Sequence, residues 1–184
     1  IAGLGSLTAD KKVKVVDAEG NENIYEAEHI ILATGCRVRQ LPALPIDGER
    51  IISYRQALVL DKLPETMLVV GSGAIGSEFA FFFTSMGVKV TLVEFMPNIL
   101  PVEDEEVSKQ VERCFKKLKM TVMTESSVTN VDTTGEKCVC TIETKKGTKV
   151  VEADIVLSAV GVQTNLENLG LEELGIATER GKVI

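Results

Sequence analysis

Three glycines in the middle of the chain have a spacing suited to phosphate binding. The apolar residues Val69 and Val70 lead into the pattern Gly71-x-Gly73-x-x-Gly76. In a strand that turns into a helix, the first glycine permits the tight turn and the second lets a phosphate approach the backbone. The third lets the helix lie close to the sheet, and the helix start offers unpaired N–H groups and a positive dipole end. We therefore predict that a pyrophosphate binds at Gly71, Ser72, Gly73, Ala74, Ile75 and Gly76.

An acidic residue downstream makes the motif more specific. Glu94 ends the next apolar strand and lies 18 residues beyond Gly76, close to the spacing at which a carboxylate accepts a hydrogen bond from a ribose 2′-hydroxyl. A carboxylate here would repel the 2′-phosphate of NADP, and residues 95–98 contain no arginine to accommodate it. Together these features predict a dinucleotide site that favours NAD. The alternative is a glycine turn with a purely structural role.

Length, charge and hydropathy restrict the class of protein. The 184 residues, 45% of them hydrophobic, suffice for one full domain, or for one domain with pieces of another. A net charge of −7 argues against nucleic acid and anionic membranes as partners, and no apolar run approaches the roughly 18 residues of a membrane span. Because the chain begins at Ile1 and ends at Lys182-Val183-Ile184, which resembles the interior of a strand, we expect a piece of a longer protein.

The cysteines and the single histidine do not form a catalytic or metal-binding pattern. Cys36, Cys114, Cys138 and Cys140 include no CxxC pair, and the last two share one face of a predicted strand. Free thiols in a reducing cytoplasm are expected, with no metal site. His29 precedes an apolar strand, so we expect a structural role for it.

The residue pattern in the first third of the chain indicates a hairpin, a buried strand and an irregular connector. Alternating residues at 13–16 and a return over 24–28 indicate a hairpin. The apolar run 29–35 predicts a buried strand that ends at a glycine. Residues 36–66 are expected to be an irregular connector, in which Ser53 caps a short helix extending to residue 60.

Two amphipathic helices are predicted after the connector. The helix of the glycine motif carries an apolar stripe that we expect to face the sheet: Ile75, Phe79, Phe82, Phe83 and Met86. A second helix, over residues 104–119, has an acidic start and a basic end that match the helix dipole. Its predicted inward residues are Val107, Val111, Phe115 and Leu118.

The last third of the chain has a pattern similar to that of the first. A strand at 120–123 precedes a second hairpin that turns at 145–147 and leads into a buried strand at 154–161. A shift of 126 residues aligns 24–35 with 150–161, and each of these segments ends at a glycine. Two related dinucleotide domains, or chance similarity between buried strands, would explain this match.

Several motifs together resemble one family. Their order and spacing are those of the flavin-dependent pyridine nucleotide–disulfide oxidoreductases, and the motifs are Ile31-Leu32-Ala33-Thr34-Gly35, residues 71–78, Val93-Glu94, Ile99-Leu100-Pro101 and Ala159-Val160-Gly161. Within this family, Phe95, the acidic residues after Pro101, and Glu78 make the chain most similar to the dihydrolipoamide dehydrogenase branch. The resemblance covers essentially the whole chain.

The resemblance implies a fold and a division into domains. It implies an α/β fold, with a Rossmann-like NAD-binding domain that carries a β-hairpin or meander and is flanked by parts of an FAD-binding domain. Residues 1–36 would end the first FAD-domain segment and residues 37–66 would be a connector. Residues 67–161 would bind NAD, and residues 162–184 would return toward the FAD domain.

The resemblance also implies cofactors, partners and residue roles. The parent enzyme would pass electrons from dihydrolipoamide through a redox disulfide and FAD to NAD. It would be a cytoplasmic homodimer serving a 2-oxoacid dehydrogenase or glycine cleavage complex. Val128 would pack near the adenine, Gly161 near the nicotinamide-side ribose, and Glu78 near the nicotinamide, paired with a lysine of the flavin domain. Thr34 and Gly35 would contact the flavin nucleotide.

Some features of the family are missing from this sequence. A first glycine fingerprint for FAD, a CxxxxC disulfide, a Gly-Asp flavin motif and a His–Glu dyad are all absent, and Val162 and Thr164 depart from the family pattern. We therefore expect this chain to bind nucleotide without catalysing the reaction or retaining FAD. The same domain of an NADH oxidase, a CoA-disulfide reductase or a transhydrogenase, and a stand-alone NAD-binding module, are the alternatives.

Overall fold

The computed structural model describes residues 1–184 and divides into two compact units. One unit combines residues 1–37 with 162–184, and the other comprises residues 38–161. None of the helices has the length and apolar character that a bilayer-spanning segment requires.

The elements follow one another along the chain in this order. Strands β1 (Leu4–Leu7), β2 (Val13–Val16), β3 (Glu22–Tyr25), β4 (Cys36–Val38) and β5 (Ile51–Ile52) precede helix α1 (Tyr54–Ala57). Next come β6 (Thr66–Val70), α2 (Ala74–Ser85), β7 (Lys89–Val93), α3 (Glu105–Lys117), β8 (Thr121–Met123), β9 (Ser126–Asp132), β10 (Cys138–Thr144) and β11 (Gly147–Ala153). The chain ends with β12 (Ile155–Ser158), β13 (Val162–Thr164), β14 (Thr178–Glu179) and β15 (Lys182–Val183).

A parallel sheet forms the centre of the unit 38–161. Its strand order is β5-β12-β6-β7-β8. The chain moves from β6 to β7 and β8 on one side, and β12 joins β6 on the other side, so the strand order reverses beside β6. In open α/β sheets such a reversal creates a crevice at the carboxyl ends of the strands. The predicted α/β, Rossmann-like fold is confirmed.

Both faces of this sheet are covered, which explains its nearly continuous apolar strands. Met67 and Val69 of β6 point into a core shared with α2 and α3. The alternate residues, Leu68 and Val70, point into a second core. That second core is closed by an antiparallel meander, β9-β10-β11, whose hairpin at 145–146 confirms the predicted turn.

The meander supplies two thiols to the second core. Cys138 and Cys140 lie on β10, are fully buried, and are free. Burial raises the pKa of the Cys140 thiol to about 12 and also raises the pKa of Cys138. These cysteines are therefore inert packing residues at neutral pH.

Helix α2 contacts the sheet along a different line from the predicted one. Gly76, Ala80 and Phe83 are buried, whereas Phe82 and Met86 are 52% and 54% exposed. The prediction was wrong for Phe82 and Met86. Because Gly76 and Ala80 have little side-chain bulk, the helix approaches the sheet along their line, and the neighbouring line of larger residues turns outward.

Helix α3 has the predicted charge distribution but a narrower buried face. Asp104 caps its start by accepting hydrogen bonds from the N–H groups of Glu106 and Val107, and Lys116 and Lys117 lie in its last turn. Phe115 is buried as expected, and Val111 is partly buried against the core.

Two of the predicted inward residues of α3 are exposed instead. Val107 is 52% exposed and Leu118 is 42% exposed, so the prediction was wrong for both. Ser108 is buried instead, and its hydroxyl donates a hydrogen bond to the backbone oxygen of Leu100 at 3.2 Å, which satisfies this buried polar group.

The connector 36–66 is more ordered than expected. Ser53 caps α1 with a reciprocal capping box formed with Gln56, as predicted. The helix ends at Ala57 rather than at residue 60, and strands β4 and β5 interrupt the connector.

In the other unit the first hairpin is confirmed, although its return strand covers Glu22–Tyr25 rather than residues 24–28, and a predicted strand is absent. Strands β2 and β3 pair antiparallel, and β1 adds a third strand. Residues 29–35 form no strand and are exposed, with Ile31 at 89%. The prediction of a buried strand there was wrong, because no strand of this chain pairs with that segment. Residues 150–161, which align in sequence with residues 24–35, do include a buried strand, β12.

Candidate functional site

A cleft of about 590 Å³ lies at the carboxyl ends of β6, β7 and β12. The residues that line it are Arg39, Leu41, Leu44, Val70, Gly71, Ser72, Gly73, Val93, Glu94, Phe95, Pro101, Ser126, Ser127, Val128, Ala159, Val160 and Gly161. This is the edge of a parallel sheet, beside the reversal of strand order, where α/β proteins bind their ligands.

The three glycines of the motif serve different geometric purposes. Gly71 has a φ of +94°, and a Cβ there would lie 2.5 Å from the carbonyl oxygen of Ala159. A Cβ on Gly76 would lie 1.9 Å from the carbonyl oxygen of Gly71, so only glycine permits this close approach of α2. A Cβ on Gly73 would meet no atom within 4 Å, which leaves open space beside the backbone.

The start of α2 fits an anionic ligand. Gly73 is the N-cap residue and supplies no side-chain hydrogen bond to the first turn. The N–H groups at a helix start have no partners within the helix and carry its positive partial charge. Open space at Gly73 and an uncapped first turn together form a site that suits a phosphate.

Glu94 holds the glycine loop in addition to facing the cleft. The residue is 7% exposed, and its Oε2 accepts hydrogen bonds from the N–H and the hydroxyl of Ser72, both at 2.7 Å. Its Oε1 accepts one from the N–H of Met96 at 2.8 Å. Because a carboxylate oxygen has two lone pairs, Oε1 keeps one direction for a further donor such as a ribose hydroxyl.

Ser72 connects the glycine loop to two neighbouring segments. Its carbonyl oxygen accepts hydrogen bonds from the N–H of Leu100 and from the hydroxyl of Ser77, both at 2.9 Å. Ser72 is fully buried and Ser77 is 6% exposed. The loop is therefore held in place before any ligand arrives, which lowers the entropic cost of binding.

The structure brings together only part of the predicted set. Gly71, Ser72, Gly73, Glu94, Val128 and Gly161 line the cleft. Ala74, Ile75, Gly76 and Glu78 belong to α2 and do not line it. Gly76 is buried by packing, and Glu78 is exposed on the helix surface.

Thr34 and Gly35, the predicted flavin contacts, lie in the other unit. Both are exposed. Asn165 binds this turn, because its side-chain amide donates to the oxygen of Thr34 at 3.1 Å and its N–H donates to the oxygen of Gly35 at 3.0 Å. A flavin contact at Thr34 and Gly35 remains a prediction.

Several lining residues were not predicted. Arg39, Leu41 and Leu44 come from the connector, and Phe95 follows the acid of β7. The connector residues reach the cleft through long-range folding, so no local periodicity marks them. Phe95 was noted in the sequence only for the family resemblance, and its position directly after Glu94 could have indicated that it lines the cleft.

Comparison with known proteins agrees with this geometry. Residues 3–184 match the model of the pyridine nucleotide-disulphide oxidoreductase family. The dihydrolipoyl dehydrogenase of Rhizobium etli is 48% identical over 164 residues, which are 89% of this chain and 34% of that protein. The dihydrolipoyl dehydrogenase of Zymomonas mobilis is 43% identical over 98% of this chain and 39% of its own length. The chain thus spans between a third and two fifths of these relatives.

The chain is also similar to solved structures over its whole length or nearly so. LpdA from Mycobacterium tuberculosis has a TM-score of 0.85 and 35% identity, over 98% of this chain and 40% of that one. A copper complex of RclA, a flavoprotein disulfide reductase of Escherichia coli, has a TM-score of 0.80 over 100% of this chain and 41% of that one. Because the identity to RclA is only 24%, this similarity is evidence for a shared fold and nothing more. The matching family model implies the use of a flavin and a pyridine nucleotide. The chain belongs to the pyridine nucleotide-disulphide oxidoreductase family.

Proposed function

We propose that the cleft of residues 38–161 binds NAD(H). The observation that carries the proposal is the combination of open backbone at Gly73, an uncapped helix start and the buried carboxylate of Glu94 at one strand edge. A pyrophosphate would lie at Gly71, Ser72 and Gly73, where the N–H groups at the start of α2 neutralise part of its charge.

In this arrangement Glu94 selects the nucleotide. Its free lone pair on Oε1 would accept a hydrogen bond from a ribose hydroxyl, and its charge would repel the 2′-phosphate of NADP. Val128 would pack against the adenine. Gly161 has a φ of +100°, and a Cβ there would meet no atom within 4 Å, so the nicotinamide-side ribose could approach its backbone. Glu78 would act toward the nicotinamide end only in the complete protein, since it does not line this cleft.

We assign the chain to the nucleotide-binding portion of a flavin-dependent dihydrolipoamide dehydrogenase. Relatives that carry this name match most of the chain, which supports the assignment. Such an enzyme oxidises dihydrolipoamide through a redox disulfide and FAD to reduce NAD. Thr34 and Gly35 would contact the flavin nucleotide, and the working protein would be a cytoplasmic homodimer serving a 2-oxoacid dehydrogenase or glycine cleavage complex.

A glycine substitution tests nucleotide binding without disturbing the fold. Gly73→Ala places a methyl group in open space, so the melting temperature should stay unchanged, while the approach of a phosphate is blocked. We expect the Kd for NADH to rise at least tenfold. Gly5→Ala, where a Cβ also meets nothing within 4 Å, is the matched control and should bind as the wild type does. Unchanged binding by Gly73→Ala would contradict the proposal.

Activity of the full-length protein tests the wider assignment. We expect reduction of NAD that depends on dihydrolipoamide. Oxidation of NADH by oxygen, by a CoA disulfide or by NADP, in the absence of that activity, would instead indicate an NADH oxidase, a CoA-disulfide reductase or a transhydrogenase.

A further inference from the structure

Arg39 differs from every other arginine of the chain. Its side chain is exposed, lines the cleft, and has neither a hydrogen bond nor an ion pair. The other five arginines all have partners. Arg37 binds Asn165 and Glu167, Arg50 binds the oxygens of Gly135 and Glu136, Arg55 contacts Tyr54, Arg113 binds Gln110, and Arg180 pairs with Glu179.

The backbone holds Arg39 at the cleft wall. Its N–H donates a hydrogen bond to the carbonyl oxygen of Gly161 at 3.1 Å. Gly161 follows β12 and also lines the cleft. The backbone of Arg39 is therefore fixed at the edge of the cleft, and its unpaired side chain lines the ligand space.

The charged residues of the cleft indicate a role for Arg39 in binding an anion. Among the lining residues only Arg39 and Glu94 are charged, and Glu94 already accepts three hydrogen bonds from Ser72 and Met96. Arg39 is thus the only cationic side chain in the cleft lining, and no carboxylate pairs with it. A guanidinium presents two parallel N–H donors that match the oxygens of a phosphate.

We propose that Arg39 binds the pyrophosphate of the dinucleotide from the cleft wall, complementing the start of α2. The inference rests on the proposed NAD(H) function and names a residue that neither the glycine motif nor the strand-end acid predicts. Arg39 thereby acts as a binding residue for the nucleotide's anionic centre, and it does not discriminate between bases.

Ligands with and without phosphates separate this role from a general effect on the cleft. In the full chain, Arg39→Ala should weaken NADH and ADP-ribose about tenfold, because one charge-assisted contact is lost. Adenosine, which has no phosphate, should bind within twofold of the wild-type value. Arg39→Lys keeps the charge without the paired donors and should weaken NADH about threefold. The dependence of the NADH Kd on salt concentration should be shallower in Arg39→Ala.

Arg113→Ala is the matched control, because Arg113 lies on α3 and is absent from the cleft lining. It should bind all three ligands as the wild type does. If wild-type protein binds NADH and Arg39→Ala binds it equally well, the role of Arg39 is overturned while the nucleotide site stands. Equal weakening of adenosine and ADP-ribose would overturn it in favour of a contact with the base. Failure of the wild type to bind NADH would overturn the proposed function itself.

Discussion

Removal of the Glu94 carboxylate should destabilise the protein as well as weaken nucleotide binding. Glu94→Ala leaves three donors without their acceptor: the N–H and hydroxyl of Ser72 and the N–H of Met96. Hydrogen bonds to charged groups contribute about 1.5–3 kcal/mol each, so the simple sum is an upper bound of about 9 kcal/mol. Water entering from the adjoining cleft would satisfy part of this loss, and we expect a decrease of about 3 kcal/mol in the free energy of unfolding.

The measurement is urea unfolding followed by circular dichroism, since the chain has no tryptophan. Ser72→Ala is the graded comparison, because it removes the hydroxyl donor and leaves both N–H bonds to Glu94. It should lower the free energy of unfolding by about 1 kcal/mol. A loss below about 1 kcal/mol for Glu94→Ala would refute the view that this carboxylate holds the glycine loop.

Three further results are expected. In the native protein, a thiol reagent should modify neither Cys138 nor Cys140, because both thiols are buried and have raised pKa values. Unfolding in urea should make both thiols reactive. Rapid labelling of either cysteine in the native state would contradict their burial. Gly76→Ala should lower the free energy of unfolding by about 3 kcal/mol, because the new Cβ would lie 1.9 Å from the carbonyl oxygen of Gly71. An unchanged melting temperature would contradict this packing of α2. The hydrogen bond from Arg37 lowers the pKa of Glu167 to about 2, so this exposed pair should contribute stability above the ordinary pKa of 4.5 and lose it as pH falls through 2. An NMR titration midpoint near 4.5 for Glu167 in the wild type would contradict that ion pair.

The sequence predicted the nucleotide unit well because its determinants are local. Glycines at 71, 73 and 76 impose a strand, a turn and a helix, and Glu94 marks the end of the next strand. The cleft then follows from the rule that parallel strands gather their carboxyl ends at one edge.

The failures of prediction involve contacts that lie far apart in sequence. An apolar run such as 29–35 predicts burial, but burial requires partner strands, and this chain provides none for it. The orientation of α2 depends on the small residues Gly76 and Ala80, which a count of large apolar residues overlooks. Arg39 precedes the glycine motif by 32 residues, so only the folded chain brings it to the cleft.

Calorimetric titration of the wild-type chain with NADH and with NADPH tests the central claim most directly. NADH should bind, and NADPH should bind at least tenfold more weakly, because the buried Glu94 carboxylate repels a 2′-phosphate. Equal or tighter binding of NADPH, or no binding of either nucleotide, would contradict it.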